Sequence, residues 1–109
     1  MKELRNYQLP NGRVPFEDWL MGLADKRARA AVYRRIDRIT QGNFGEHRFL
    51  QDGVWELKID VGTGYRVYYA QEGKAVLLLL CAGSKRTQTA DITRAVNYWN
   101  DYLQHHGKN

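Results

Sequence analysis

The sequence predicts an α+β domain with the order β-α-α-β-β-β-α, in which helices pack on an antiparallel sheet. The first observation is a pair of alternating apolar and polar stretches, residues 54–60 and 65–69, that meet at a glycine-rich turn. The second is the almost wholly apolar run 75–81 that follows them. The third is a helical spacing of apolar residues before and after this block. Strands grouped together and flanked by helices are typical of the α+β class.

Size and composition favour one folded domain, residues 1–109. A hydrophobic content of 43% with 12% aromatic residues is typical of a chain that builds a core. No signal peptide opens the sequence, and its longest apolar run is too short to cross a bilayer, so we expect a cytoplasmic protein without a membrane partner. The net charge of +5 favours an anionic partner, such as nucleic acid or an acidic protein segment.

Cysteine and histidine usage predicts no metal site and no other cofactor. The single cysteine, Cys81, cannot form an internal disulfide and lies in the apolar run, so we expect it in the core. His105 and His106 are adjacent, and adjacent residues do not face each other on a helix. No Cys/His cluster has the spacing of metal ligands.

The first elements are predicted to be a strand and a short helix. Residues 2–9 form the strand, and the turn-forming residues Pro10, Asn11 and Gly12 end it. Pro15 suits the first turn of a helix, where its missing N–H costs nothing. Gly22 keeps this helix short. Its apolar residues are Phe16, Trp19, Leu20 and Leu23.

A second helix is predicted from Asp25, a good N-cap, to residue 40 or 41, with Gly42 beyond its end. Its apolar stripe consists of Ala28, Ala31, Val32, Ile36 and Ile39. Its other sides are rich in cations: Lys26, Arg27, Arg29, Arg34, Arg35 and Arg38. This ridge is either a solvated helix face or a surface for RNA phosphates or an acidic partner.

Residues 43–53 are predicted to form a loop that carries His47 and Arg48. The alternating stretches after it form a hairpin around Gly62, Thr63 and Gly64. A further turn at residues 73–74 leads to the apolar run, which suits a strand covered on both faces. The alternation places Lys58, Arg66 and Tyr68 side by side on one face of the sheet.

The last helix is predicted to begin near Thr87 or Thr89, after the turn that carries Lys85 and Arg86. We expect the apolar stripe of this helix to pack on the sheet. The stripe consists of Ile92, Val96, Trp99 and Leu103, with Ala95 and Tyr102 beside them. Residues 105–109 are expected to be a frayed tail.

The chemistry available is that of cations and phenols. The sequence has no phosphate-binding glycine loop, nucleophile elbow or metalloprotease helix. Lys58, Arg66, Tyr68, Lys85 and Arg86 are suited to binding a phosphodiester and to stabilising the added negative charge of its transition state. Since RNA can be cleaved through its own 2′-OH, such a site needs no metal. The alternative is a water-facing sheet surface on which Arg66 merely pairs with Glu56 or Asp60.

Several of these segments together resemble the phage-derived, HigB-like branch of the RelE/ParE toxin superfamily. These proteins are the addiction-module killer proteins of bacterial type II toxin–antitoxin pairs. The resemblance covers nearly the whole chain, with its motifs in the family's order. They are residues 12–15 (GRVP), 19–20 (WL), 53–60 (GVWELKID), 64–69 (GYRVYY) and 77–85 (LLLLCAGSK), followed by Gln88, Asp91, Ile92 and Ala95.

The resemblance implies a compact α+β fold of the microbial-ribonuclease type and a metal-independent endoribonuclease that cuts mRNA in the ribosomal A site. It implies Arg66 as the group that stabilises the scissile phosphate. Lys85 or Arg86 would bind phosphate or assist the leaving group, and Lys58 would act as base or phosphate contact. We expect Tyr68 among the catalytic residues, and Arg48, His47 and Arg86 as RNA-binding residues.

The implied partners are the ribosome, mRNA and a helix-turn-helix, HigA-like antitoxin that forms a hetero-oligomer with the toxin. Glu56 departs from the pattern, because some active relatives carry a second lysine there. Members of the superfamily that inhibit DNA gyrase lack the nuclease residues, and retention of Arg66 and Lys85 favours RNA cleavage. The alternatives are therefore a ParE-like gyrase inhibitor or an inactive member that only binds its antitoxin.

Overall fold

A computed structural model describes residues 1–106 and confirms the predicted α+β class. The described residues form five strands and three helices. In chain order these are β1 (Glu3–Asn6), α1 (Pro15–Met21), α2 (Lys26–Thr40), β2 (His47–Gln51), β3 (Val54–Ile59), β4 (Tyr65–Glu72), β5 (Val76–Ser84) and α3 (Gln88–His106), with a 3₁₀ turn at Lys85–Thr87 before α3. No helix within residues 1–106 is long and apolar enough to cross a membrane.

The five strands form one sheet in the order β1-β5-β4-β3-β2. The prediction of an antiparallel sheet holds from β2 to β5, but β1 runs parallel to β5, with Glu3 opposite Val76. A parallel pair needs a long crossover. Here the crossover consists of both first helices and the β2-β3-β4 meander, a route that no local pattern shows.

Strand β2 corrects the prediction of a loop at residues 43–53. It pairs antiparallel with β3, with Arg48 opposite Glu56. The two strands are joined at Asp52 and Gly53, whose φ angles are +51° and +85°. Two consecutive positive φ angles are what a tight hairpin turn requires, and Asp-Gly is one of its preferred pairs. That dipeptide was the local signal for the hairpin.

The sheet separates two apolar layers. On one side α1 and α2 cover side chains such as Leu57, Val67 and Leu79. On the other side α3 covers Val54, Tyr68 and Leu80. Strand β5 supplies residues to both layers, in alternation except at a register shift where Leu80 and Cys81 share one layer, which confirms the prediction of a strand covered on both faces.

Helix α3 is rotated relative to its predicted apolar stripe. Leu103, predicted to pack on the sheet, is 38% exposed, and Ile92 and Val96 are half-buried. The face that is buried consists of Asp91, Ala95, Trp99 and Tyr102. The rotation is possible because Asp91 accepts a hydrogen bond from the Thr87 hydroxyl and pairs with Arg94, which compensates for burying a carboxylate. His105 and His106 continue the helix, and the rest of the predicted tail lies outside the described residues.

Candidate functional site

A groove of about 340 Å³ opens beside the β2-β3-β4 end of the sheet. It is lined by Glu46, His47, Arg48, Glu56, Lys58 and Arg66. Three cations thus face two carboxylates, so the groove has a positive balance suited to an anionic ligand.

Strand register explains why the charged side chains meet. Arg48 on β2 lies opposite Glu56 on β3, and Lys58 on β3 lies opposite Arg66 on β4. Because alternate residues of a strand point to the same face, all four share the side of the sheet that α3 covers. No residue of α3 lines the groove, so its charged residues border open space, and α3 reaches them only through Gln88.

Glu56 is the centre of the groove and its least exposed charged residue. Only 3% of its surface is exposed, and its carboxylate has three polar partners. Its carboxylate lies 3.2 Å from Arg48 Nε and 3.4 Å from Arg66 Nε, and it accepts a hydrogen bond of 2.9 Å from Gln88 Nε2. A buried carboxylate is stable only with such partners. Glu56 therefore holds two guanidinium groups in place, and Gln88 ties this arrangement to the first turn of α3.

The three cations differ in how firmly they are held. The side chain of Arg66 is only 12% exposed, and its Nε has no partner in hydrogen-bonding geometry although Glu56 lies 3.4 Å away. The side chains of Arg48 and Lys58 are 66% and 40% exposed. Lys58 Nζ lies 3.6 Å from Glu46 and 4.0 Å from Asp60, both exposed, so these pairs are weak. Arg66 is therefore the most enclosed cation, Arg48 is largely exposed but hydrogen-bonded to Glu56, and Lys58 is the least restrained of the three.

Tyr68 shares the sheet face of Lys58 and Arg66, as predicted, but it is not accessible. Its side chain is fully buried beneath α3, and its hydroxyl has no hydrogen-bond partner within the described residues. Burial, followed by the nearby charges of Glu56 and Asp91, raises the pKa of the phenol far above its ordinary value. The expectation that Tyr68 is a catalytic residue therefore has no geometric support, because α3 covers its side chain.

His47 borders the groove, but its ring lies on the other side of the sheet. Its position opposite Leu57 places it on the face covered by α1 and α2. Nδ1 is 2.9 Å from the Tyr69 hydroxyl, and the ring stacks between Phe44 and Trp55. His47 was expected to bind RNA together with Arg48 from a loop, but both lie on β2, where adjacent residues point to opposite faces of the sheet.

Lys85 and Arg86 stand apart from the groove. They occupy the exposed 3₁₀ turn beyond the end of β5 and do not line the groove. The Ser84 hydroxyl accepts a hydrogen bond from the Arg86 N–H, which fixes the start of this turn. Since Gly83 lies opposite Arg66, the turn begins two residues beyond the Arg66 position. The two cations extend the positive surface toward the start of α3.

The pairing of Arg66 with Glu56 that the sequence offered as an alternative is present, but sequence reasoning missed the burial of Glu56 and its contacts with Arg48 and Gln88. Glu56 alternates with Lys58 on β3, and this shared face was the available signal for its position among the cations. Gln88 belongs to the motif that follows β5, but its contact with Glu56 joins residues far apart in sequence. In the described part of the chain, no group of three or more histidine, cysteine, aspartate or glutamate residues is placed to hold a metal ion.

Comparison with known proteins gives two matches. The family model described as "Phage derived protein Gp49-like (DUF891)" matches residues 18–97, a segment that includes every groove residue. An uncharacterized protein of Haemophilus influenzae is 45% identical over 82 residues, which cover 75% of this chain and 83% of the relative. The match to the family model spans most of the chain and therefore shows membership.

Proposed function

Because the chain belongs to the phage-derived Gp49-like family, we propose that it is the toxin of a type II toxin–antitoxin pair, related to the RelE/ParE superfamily and its HigB-like branch. Its activity is cleavage of mRNA on the ribosome, and its location is the cytoplasm. The motif order described above supports the relationship, and the positive groove supports RNA as the substrate.

The observation that carries the proposal is the pair of arginines held by the buried Glu56. A guanidinium offers several N–H donors in a planar fork that matches phosphate oxygens. Glu56 approaches each arginine at its Nε atom, with one carboxylate oxygen toward Arg48 and the other toward Arg66. Both arginines also line the groove, so their guanidinium groups are available to a ligand there. This arrangement suits one phosphodiester bound between two oriented cations.

The reaction that fits this groove needs no external nucleophile. The 2′-OH of the ribose loses its proton and attacks the adjacent phosphorus, and the bond from phosphorus to the 5′-oxygen of the next nucleotide breaks. The products are a 2′,3′-cyclic phosphate and a 5′-OH that gains a proton. Arg66 stabilises the extra negative charge on the phosphoryl oxygens. Lys58 contacts the phosphate or takes part in proton transfer, and Lys85 and Arg86 bind a neighbouring phosphate. Tyr68 has no part in this scheme, because it is buried.

A helix-turn-helix antitoxin is the proposed second partner. A second cationic groove, which shares Lys58 and Glu46 with the first, runs along α2 and is lined by Arg34, Arg35 and Arg38. Acidic side chains of an antitoxin bound there would also cover Lys58, and this would block the first groove. Raised salt should weaken such a complex, since its attraction is partly electrostatic.

The test is induced expression of the chain without an antitoxin, followed by mapping of mRNA 5′ ends. Wild type should produce new ends in register with codons. Arg66→Lys, which keeps the charge but loses the fork, should reduce cutting about 10²–10³-fold. Arg27→Ala is the matched control, because it removes an exposed cation at the start of α2, outside the groove. Thermal unfolding of each variant verifies that the fold is intact.

Full cutting by a folded Arg66→Lys variant would exclude the groove as the active site. Growth arrest with intact mRNA and induction of DNA-damage signalling would favour gyrase as the target. Absence of growth arrest would indicate an inactive member that binds its antitoxin.

A further inference from the structure

On the sheet face opposite the groove cations, β2, β3, β4 and the segment before β2 carry a continuous group of aromatic rings, here called the aromatic patch. Its rings stack or meet edge-to-face, with centroid distances between 4.8 and 6.4 Å. The members of the patch are Phe44, His47, Phe49, Trp55 and Tyr69. Such contacts rigidify the rings and hold them as a preformed surface.

Packing in the core accounts for only part of the aromatic patch. Phe44 and Trp55 pack against the core layer under α1 and α2, and Tyr69 belongs to it. Phe49 does not belong to that layer, and 53% of its surface is exposed. It meets the Trp55 ring edge-to-face at 5.4 Å. The core therefore explains the buried rings but leaves Phe49, an exposed aromatic residue on an edge strand, unexplained.

Strand β2 connects the patch to the groove. It is an edge strand of the sheet, and its residues alternate between the two faces. Arg48 points to Glu56 and the groove, whereas its neighbours His47 and Phe49 belong to the patch. Arg48, the proposed phosphate ligand, and the exposed ring of Phe49 therefore lie on opposite faces of the same edge strand. Lys2 Nζ lies 6.0 Å from the Phe44 ring centroid, so a cation is also present on the outer side of the patch.

We propose that the aromatic patch is a nucleobase-stacking site for single-stranded RNA whose backbone lies in the groove. This inference rests on the proposed function and adds the position at which the base beside the bound phosphate is held. A single strand alternates anionic phosphates with flat π surfaces, and proteins that bind it combine a positive groove with aromatic platforms. The chain would cross the β2 edge between Arg48 and Phe49, with a base against Phe49 and Trp55.

The charge around the patch favours RNA over an apolar protein segment. Arg48 on β2 attracts the phosphate beside a base stacked on Phe49, and Lys2 adds positive charge at the Phe44 end of the patch. An apolar protein anchor would gain nothing from these cations. RNA is the ligand whose chemistry uses both the rings and the charges.

The test compares two oligomers of equal length and charge, a 2′-O-methyl RNA and its abasic counterpart. The 2′-O-methyl group prevents cleavage, so affinity is measured alone. Wild type should bind the oligomer with bases more tightly. Phe49→Ala should reduce that preference about 5- to 100-fold while leaving abasic binding unchanged. Phe49→Trp, which keeps an aromatic ring, should retain the preference for the oligomer with bases. Arg48→Ala should weaken the binding of both oligomers equally. Tyr33→Ala is the matched control, since Tyr33 on α2 is 57% exposed and lies outside the patch.

Equal affinity of wild type for the two oligomers would overturn the proposal. So would equal effects of Phe49→Ala and Tyr33→Ala. A Phe49→Ala variant that keeps its base preference but loses affinity for the antitoxin would identify the patch as a protein-docking surface and would also overturn it. Since no outcome depends on cleavage, uncut transcripts in cells together with a base preference removed by Phe49→Ala would refute the nuclease proposal alone.

Discussion

At the scale of single residues, Gly83 is a position on β5 where the packing of α3 leaves no room for a side chain. A Cβ at this position would overlap the Asp91 carboxylate and come within 2.6 Å of the Thr87 hydroxyl. Gly83 has no positive φ angle, so glycine is required there for space and not for backbone conformation. The missing side chain allows the buried Asp91 and the start of α3 to lie directly on β5, next to Arg66.

Gly83→Ala should therefore destabilise the protein by about 1–3 kcal/mol, because the buried carboxylate must move away from its partners. The measurement is the midpoint of urea unfolding. Gly22→Ala is the matched control, since its Cβ would lie 3.4 Å from two carbonyl oxygens, an ordinary contact. Equal losses for the two variants would show that Asp91 has room to shift.

The candidate site was predictable from the sequence where local alternation decides it. Lys58 and Arg66 lie on one face because their strands alternate, and the hairpin sets their register. The role of Glu56 was not predictable, because it depends on Arg48 from an unrecognised strand and on Gln88 from another element. The burial of Tyr68 likewise depends on how far α3 extends over the sheet.

At the scale of elements, Arg35 joins α2 to the sheet. It was predicted to belong to an exposed basic ridge, but its guanidinium donates hydrogen bonds to the carbonyl oxygens of Phe44, Glu46 and Lys58. Burial is the main cause of a lowered pKa for this side chain. The cation therefore acts as a clamp on the segment that leads into β2. Arg34 beside it is exposed, as predicted for a residue of the basic ridge.

Arg35→Ala should cost about 2–3 kcal/mol of stability, since it leaves three carbonyl groups without this donor. The same change at Arg34 should stay within about 0.5 kcal/mol. Urea unfolding of both variants measures the difference. If Arg35→Ala matched Arg34→Ala, water would have replaced the lost donor and the clamp would have no role in stability.

The starts of helices were predicted correctly where a capping residue or a proline marks the first turn. Asp25 accepts hydrogen bonds from the Arg27 and Ala28 N–H groups and begins α2, as predicted, and Pro15 begins α1. Prediction failed for β2, whose turn signal is a dipeptide, and on α3 for Leu103 and Asp91, although the rest of the predicted stripe packs on the sheet. It failed on α3 because a buried aspartate contradicts the rule that apolar residues choose the packed side of a helix.

At the scale of the whole molecule, covering the sheet on both faces encloses several phenols. Burial is the main cause of a raised pKa for Tyr7, Tyr68, Tyr69 and Tyr102. A hydrogen bond to Asp101 adds to the effect at Tyr7, and one to Glu72 adds to it at Tyr102. Burial also raises the pKa of the Cys81 thiol to about 12.

These shifts predict a protein that loses stability in alkali. The folded state holds the phenol and thiol protons more tightly than the unfolded state, so the stabilisation is complete below the unfolded pKa values. It is lost as the pH rises toward the folded ones. We expect the free energy of unfolding to fall steadily above about pH 9–10. Phenolate absorbance should show these four tyrosines ionising together with unfolding. Ionisation of all of them in a protein whose circular dichroism is still native would contradict this prediction.

The element order was predictable for the whole molecule, except for β2, because each remaining element has its own pattern. The sheet order was not, since the place of β1 beside β5 depends on a pairing between distant segments.

That pairing of β1 with β5 has a consequence for how the chain folds. The contact between Glu3 and Val76 closes a loop over most of the sequence, and the helix that completes the groove follows β5. Non-local pairings are slow to form, since the entropy of closing the loop is lost before the contact is gained. A growing polypeptide would therefore acquire its full sheet, and the Gln88 contact to Glu56, only near the end of its synthesis. Chains that end before α3 would lack the Gln88 contact that ties Glu56 to the rest of the fold.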